Sequence, residues 1–114
     1  MFHSDGDLRK RTFEYGRRVV RLYAALPRSK VAQVFGDQLL RAGTSVGANY
    51  REAQRGRSTA EFKAKIGDCL READEPLYWI EQIEAESLVP AIRLTDIKDE
   101  TSQLIAIFVT LLKR

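Results

Sequence analysis

The chain has little of the chemistry on which most small metal-binding and disulfide-stabilised domains depend. It contains one Cys, one His and three Pro among 114 residues. A single Cys excludes an internal disulfide and suits a reducing compartment, so we expect a cytoplasmic protein. One His excludes a zinc site of paired Cys and His, and also a di-iron site in a helical bundle, which needs a His from each of two helices.

Long apolar segments are also missing. The longest, LIAIFVTLL at residues 104–112, is about half as long as a membrane-spanning helix. Residues 1–21 are polar and basic, without the apolar centre of a secretory signal. We therefore expect no contact with membranes and interpret LIAIFVTLL as a buried helix.

Motifs that bind phosphate or activate a nucleophile do not occur. The sequence has neither GxxxxGK[ST] nor GxGxxG. Cys69 lies on an apolar stripe with no His to activate it, so we expect a small buried hydrophobe. The carboxylates at positions 68, 72, 74 and 75 suit a solvated acidic face better than an acid–base pair, since nothing desolvates them. The sequence thus predicts a protein that is not an enzyme and that binds no metal or cofactor.

Apolar residues at helical spacing dominate the chain. Pro27 and Gly56 mark the ends of two helices, and Ser58 with Glu61 forms a capping box that begins a third. Pro76 predicts a kink or a break within that third helix. Because no strand-like alternation occurs, we predict an all-α, antiparallel up-down four-helix bundle. The single domain covers residues 1–114, with helices at about 8–26, 30–55, 59–86 and 96–113.

The segment GTSVGANY at residues 43–50 is unusual for a helix interior, because each Gly costs about 1 kcal/mol relative to Ala. Gly43 and Gly47 have the GxxxG spacing, which lets another backbone approach closely. Asn49 falls on the predicted inner face, and we expect a structural polar core in which its buried amide forms hydrogen bonds across helices and with Ser45 or Glu52. A catalytic or ligand-binding role is the alternative. Small and apolar residues cover more than half of this helix, which favours burial on two sides and hence self-association.

The charge is distributed unevenly along the chain. Residues 1–65 carry 14 Lys and Arg against six Asp and Glu, a net charge of +8, whereas residues 66–114 carry five against ten, a net charge of −5. This asymmetry favours an anionic partner, or basic and acidic faces that meet between subunits, with ordinary solvated surface as the alternative.

Arginine-rich groups lie on the first helix, opposite its apolar stripe, and at the end of the second helix. Arginine suits bidentate contacts with phosphate, so these groups predict binding of RNA or DNA with little base preference. A solvated helix face is again the alternative. The predicted contacts are Lys10, Arg11, Arg17, Arg18, Arg21, Arg51, Arg55 and Arg57.

An acidic ridge that ends in an exposed aromatic pair is predicted on the third helix, away from its core stripe. An outward-facing Trp often anchors an interface, and the ridge suits an arginine-bearing helix of a second copy. Such a contact is head-to-tail and can close into a ring. The predicted subunit interface consists of Asp68, Glu72, Glu75, Tyr78 and Trp79.

The segment SVGANYREAQRGRSTAEFKAKIGDCLREADEPLYWIEQI at residues 45–83 resembles the four-helix-bundle family of rRNA-intervening-sequence proteins. It is also similar to their relative, the accessory variability determinant of diversity-generating retroelements. The likeness is sharpest at Ser45, Asn49, Glu52, Ala53, Ser58, Glu61, Phe62, Glu72, Ala73, Asp74, Glu75, Tyr78 and Trp79. Pro76 departs from the family pattern.

This resemblance implies a homopentameric ring without enzyme activity. The retroelement relative is basic, binds nucleic acid and works with a reverse transcriptase. The implied partners are therefore further copies of the chain, RNA or DNA, and a reverse transcriptase or other protein. The alternative is a protein-interaction scaffold whose charged faces serve assembly and a protein partner.

Overall fold

Four helices make up most of the chain in the computed structural model, which describes the backbone of residues 2–114 and the side chains of residues 8–114. The helices are α1 (Phe2–Ala25), α2 (Lys30–Gln54), α3 (Thr59–Ala85) and α4 (Thr95–Leu112). A 3₁₀ turn at Ala91–Arg93 leads into α4, and the described residues contain no strand. The all-α fold of four helices is confirmed, and α1 begins upstream of its predicted start.

The helices run in alternating directions. Along α1, the residues that contact α2 are Thr12, Gly16, Val19 and Tyr23, and their partners fall in reverse order at Gly47, Thr44, Gly43 and Gly36. Helix α2 packs between α1 and α3, and α4 packs chiefly against α3. The connections α1–α2 and α3–α4 therefore lie at one end of the bundle, and the connection α2–α3 lies at the other.

Side-chain caps begin two of the helices. The hydroxyl of Ser29 accepts the N–H of Ala32 at 3.1 Å, and the hydroxyl of Ser58 accepts the N–H of Glu61 at 3.1 Å. The carboxylate of Glu61 accepts the backbone N–H of Arg57 at 2.9 Å, one residue before the position expected for a capping box. These caps satisfy amides that lack a partner in the first turn.

Helix α3 continues through Pro76, so of the two predicted alternatives the break is wrong and the kink stays a prediction. Pro76 is buried, and the packing of α3 on both neighbouring helices holds it together although the ring supplies no N–H. The helix ends at Ala85, and Ser87, just beyond the C-cap residue Glu86, has a left-handed φ of 54°. There the N–H of Leu88 donates to the carbonyl of Ile83 at 3.1 Å and that of Ser87 to Glu84 at 3.0 Å, a Schellman motif.

The inner face of α2 is rotated relative to the predicted one. The helical period predicts Val31 and Asn49 on the inner face and Tyr50 on its flank. In the structure Tyr50 is fully buried, whereas Val31 is 47% exposed and Asn49 is only half-buried. The predicted structural polar core is therefore wrong. Asn49 donates to the backbone carbonyl of Ser45 at 3.0 Å within the same helix, and the exposed Glu52 pairs with Lys65 at 2.8 Å. The helix contains enough small residues to shift its buried arc, so apolar spacing alone did not fix its orientation.

The glycines of α2 form a seam against α1. A Cβ added at Gly47 would lie 3.2 Å from the backbone oxygen of Thr12, and one at Gly43 would lie 2.7 Å from Cγ2 of Val19. Both distances are shorter than ordinary van der Waals contact. The predicted close approach is confirmed, and it explains why a helix interior accepts these residues despite their poor helix propensity.

A buried hydrogen bond joins α1 to α4. The hydroxyl of Tyr15 lies 2.7 Å from that of Thr101, which donates its own proton to the carbonyl of Ile97 at 2.6 Å. Tyr15 must therefore be the donor to Thr101. Burial raises the pKa of Tyr15 to about 12, so the proton stays in place at neutral pH.

Candidate nucleic-acid and subunit interfaces

The basic face of α1 lies where the periodicity placed it. Lys10, Arg17 and Arg21 are exposed on the side of α1 that points away from the core. Arg17 has one weak local partner, Glu14, at 3.6 Å, and both side chains are largely in solvent. Exposed pairs of this kind contribute little to stability, so Arg17 can exchange Glu14 for another anion at small cost.

Arg11 differs from its neighbours. Its guanidinium binds Glu100 of α4 through two hydrogen bonds of 2.8 and 2.7 Å, and it also donates to Gln103. The hydrogen bonds to Glu100 raise the pKa of Arg11. Arg11 thus ties α1 to α4 through Nε and Nη2, and its contact with phosphate stays a prediction for which Nη1 is the remaining guanidinium nitrogen.

A groove of about 390 Å³ separates α1 from α2 on the outer surface. Gly16 and Gly47 line it, and Arg17 and Arg51 lie at its sides. The guanidinium carbon of Arg51 stands 5.5 Å from the ring centre of Phe13, which is 51% exposed. The structure therefore brings one member of each predicted arginine group, Arg17 and Arg51, to the same groove, with the Arg51 guanidinium over the Phe13 ring.

Arg55 and Arg57 are exposed at the end of α2, and no described carboxylate pairs with either side chain. Because α1 and α2 are antiparallel, this end of α2 lies far from Arg18 and Arg21 near the end of α1. The predicted nucleic-acid residues therefore form a band along the α1–α2 side of the bundle and not one compact patch.

A second cleft, of about 400 Å³, lies between α1 and the start of α4. Arg18 and Arg21 line it together with Arg93, which belongs to the 3₁₀ turn. The sequence reasoning missed Arg93 because it stands in a connection, outside every helical stripe. Only its position just before an amphipathic helix could have suggested that it would lie beside α1.

The acidic ridge of α3 is largely neutralised within the chain. Arg41 of α2 contacts Glu75 at 2.5 Å and Glu72 at 3.7 Å. The hydrogen bond from Arg41 lowers the pKa of Glu75, and a hydrogen bond from Trp79 acts in the same direction. The remaining member of the ridge, Asp68, pairs with Lys65 and Arg71.

Trp79 does not point freely outward. Its ring packs 5.6 Å from Phe35 of α2, and its N–H donates to Glu75 at 3.1 Å. The expectation that this ridge accepts an arginine from another copy is thus weakened, because Arg41 already occupies it. Tyr78 remains 52% exposed although its hydroxyl accepts a hydrogen bond from Gln82 at 3.0 Å, and it is the most exposed member of the predicted subunit interface.

Several large apolar side chains are exposed on the described surface. Isolated exposed hydrophobics are normal, but these include residues on adjoining faces of α1 and α2. Such a surface is typical of a contact with another chain. The residues are Phe13, Val20, Val31, Val34, Tyr78 and Ile92.

The chemistry of small-molecule sites is sparse in the described part of the chain. Among the side chains of residues 8–114, no three His, Cys, Asp or Glu are grouped so that they could hold a metal ion. Cys69 is buried in the core as predicted, and burial raises the pKa of its thiol to about 12. Within residues 2–114, no helix has the length and hydropathy needed to traverse a bilayer.

Comparison with known proteins identifies the family. The sequence model of the protein family described as 23S rRNA-intervening sequence protein matches residues 4–110 of this chain. The chain belongs to this family. A crystal structure of a protein of unknown function from the S23 ribosomal protein family of Bacteroides thetaiotaomicron is 30% identical in sequence, with a TM-score of 0.90. The match covers 97% of this chain and 99% of that one.

No curated protein sequence matches the chain. The family model and the solved structure nevertheless confirm the predicted membership of the rRNA-intervening sequence family. The likeness to the retroelement accessory protein stays a prediction.

Proposed function

We propose that this family member is a cytoplasmic, non-enzymatic protein that binds RNA or DNA through phosphate contacts and assembles into a ring of identical subunits. The observation that supports nucleic-acid binding is the band of exposed basic residues along α1 and α2. Pairing within the chain takes up Arg11 and Arg41, and it leaves Arg21, Arg55 and Arg57 without a described acidic partner.

The groove at Phe13 supplies a second element of the proposal. The exposed Phe13 ring shares the groove with Arg17 and Arg51 and offers a surface on which a base can stack. Proteins that bind single strands combine such rings with a positive track for the backbone. We propose that the groove holds an unpaired nucleotide while the basic band follows the phosphates.

Self-association is supported by the exposed apolar residues of α2 and α3 that lie outside this groove, Val31, Val34 and Tyr78. Five subunits follow from the family resemblance alone. Tyr78 is the member of the predicted acidic ridge that we place in the contact, because Arg41 neutralises Glu72 and Glu75. A reverse transcriptase or other protein as an additional partner also follows from the resemblance.

Fluorescence anisotropy of a labelled RNA hairpin and a matched DNA duplex tests the binding proposal. The wild type should bind at physiological salt, with log K falling linearly against log salt. Replacing both Arg17 and Arg21 by Glu should abolish binding. The control is Arg71→Glu, which makes the same charge change per site on the exposed surface of α3 and should leave most of the affinity for nucleic acid. Equal affinity of the wild type and the double variant would refute the assignment.

The interaction scaffold is the second candidate, and the exposed apolar residues favour it as well. The mass of the same preparation in solution separates the two. A ring that binds no nucleic acid at physiological salt would establish the scaffold, and a monomer at working concentration would exclude the ring in either version.

A further inference from the structure

The cleft between α1 and the start of α4 gathers three arginines from two separate parts of the chain. Arg18 and Arg21 approach from α1, and Arg93 approaches from the 3₁₀ turn. Apolar side chains complete the lining, and one carboxylate, Asp96, stands at the edge in the first turn of α4. The apolar lining residues are Leu22, Ala25 and Ile97.

None of these arginines is used to hold the fold together. No ion pair or side-chain hydrogen bond with a described residue is formed by Arg18, Arg21 or Arg93. Arg11, nearer the start of α1, differs in forming both. The links Arg11–Glu100 and Tyr15–Thr101 already fix α1 against α4. The arginines of the cleft are therefore not needed as structural donors.

The charges of the cleft favour an anion. Three guanidinium groups against one carboxylate leave a charge of +2 over a small volume. Like charges repel, so an anion bound between these guanidinium groups lowers the electrostatic energy, although water screens the exposed Arg21 and Arg93. Asp96 opposes that anion, but it lies at the positive end of the α4 dipole, which offsets part of its charge.

We infer that the cleft formed by Arg18, Arg21 and Arg93 binds a backbone phosphate of a nucleic acid. This inference rests on the proposed function and adds a contact that the basic faces of the helices did not predict. Arg21 belongs both to the exposed face of α1 and to the cleft, so a strand that follows α1 reaches the cleft directly. The cleft has no aromatic lining, which fits a phosphate rather than a base.

The test compares Arg93→Gln with Arg71→Gln, which removes one positive charge from the exposed surface of α3. Anisotropy with the labelled RNA hairpin is measured over a series of salt concentrations. Arg93→Gln should weaken binding about tenfold at physiological salt, because a charge-assisted hydrogen bond is lost. It should also reduce the slope of log K against log salt by about 0.7 to 0.9, the contribution of one phosphate contact. Arg71→Gln should leave both quantities nearly unchanged.

Two further variants give the inference a positive signature. Arg93→Lys keeps the charge but loses the planar pair of donors. The slope of log K against log salt should therefore equal that of the wild type, while the affinity recovers only in part. Asp96→Asn removes the repelling carboxylate and should tighten binding. Weaker binding by Asp96→Asn would contradict a phosphate at this position.

The outcomes separate the cleft from the proposed function. If Arg93→Gln binds like the wild type while the Arg17 and Arg21 double variant does not bind, the cleft assignment is overturned and nucleic-acid binding stands. If the wild type does not bind at physiological salt, both fail. A further measurement tests whether inorganic phosphate stabilises the protein. Stabilisation of the wild type but not of Arg93→Gln by phosphate, together with equal RNA affinities, would assign the cleft to a small anion and overturn the inference.

Discussion

Replacing Gly43 by Ala should destabilise the protein, although Ala is the better helix former. Gly43 lies inside α2, and a Cβ there would stand 2.7 Å from Cγ2 and 2.9 Å from Cγ1 of Val19. Ordinary contacts begin at 3.4 Å, so α1 or the Val19 side chain would have to move by about 0.7 Å. Rotation of Val19 cannot clear the clash, because it turns away only one of the two γ-methyl groups and because Val strongly prefers one χ1 rotamer in a helix.

The magnitude follows from two opposing terms. Overpacking of a filled core costs about 1–3 kcal/mol, and exchange of Gly for Ala within a helix returns about 1 kcal/mol. The net change in the free energy of unfolding should therefore be a loss of about 0–2 kcal/mol. Gly67 provides the matched control, since it lies inside α3 and a Cβ there meets nothing within 4 Å. Gly67→Ala should stabilise the protein by about 1 kcal/mol.

Urea denaturation followed by the fluorescence of the single Trp measures both variants at one fixed protein concentration. The expected difference between Gly67→Ala and Gly43→Ala is about 1–3 kcal/mol. Val19→Ala in the Gly43→Ala background removes both clashing methyl groups, so it should cost less there than in the wild type by about 0.5–3 kcal/mol. Equal stabilisation by the two Gly→Ala changes would refute the close α1–α2 seam.

Two smaller predictions concern α3. The hydrogen bond from Arg41 lowers the folded pKa of Glu75 below its ordinary value of 4.5, so its contribution to stability is complete above that pH and is lost as the pH falls through the folded value. The stability gap between the wild type and Arg41→Met, measured by urea midpoints, should therefore narrow below about pH 4.5, and a constant gap would contradict the pairing. Ser87→Gly should raise the free energy of unfolding by about 1 kcal/mol because it relieves a left-handed φ of 54°. The same change at the exposed Ser102 in α4 should lower it, and equal effects at both positions would contradict the assigned helix end.

Helix positions were largely predictable because they depend on local pattern. Ser58 caps α3 as predicted, and a turn separates the helices at Pro27 and Gly56. The orientation of α2 was not predictable, since Gly36 and Gly43 are as buried as its aliphatic residues and carry no hydrophobic signal. Continuity through Pro76 was also hidden, because it depends on tertiary packing rather than on local propensity.

In the candidate surfaces, too, some features depend on local pattern and others on tertiary packing. Exposure of Arg17 and Arg21 followed from the helical period, because a residue opposite an apolar stripe must face solvent. The ion pairs could not be predicted from the helical period. The partners Arg11 with Glu100 and Arg41 with Glu75 are 89 and 34 residues apart, and only the helix topology brings them together. Arg93 was missed for the same reason, since its neighbours Arg18 and Arg21 belong to the opposite end of the chain.

The uneven charge of the chain becomes a division across the folded molecule. Because α1 lies beside α2 and α3 beside α4, the basic half of the sequence forms one flank and the acidic half forms the other. Arg11, Arg41 and Lys65 are the described basic residues of the first half that pair with acids of the second half, so most of the positive charge stays available.

This division constrains how assembly and nucleic-acid binding can coexist. If copies joined by placing the acidic flank of one against the basic flank of the next, the contact would bury the arginines that nucleic acid requires, and the two would compete. Assembly through apolar residues such as Val34 and Tyr78 avoids that conflict. The two modes respond oppositely to salt, since screening weakens a contact between charged flanks and leaves an apolar one intact. A ring that survives salt concentrations at which RNA dissociates is therefore the behaviour that the proposed function requires.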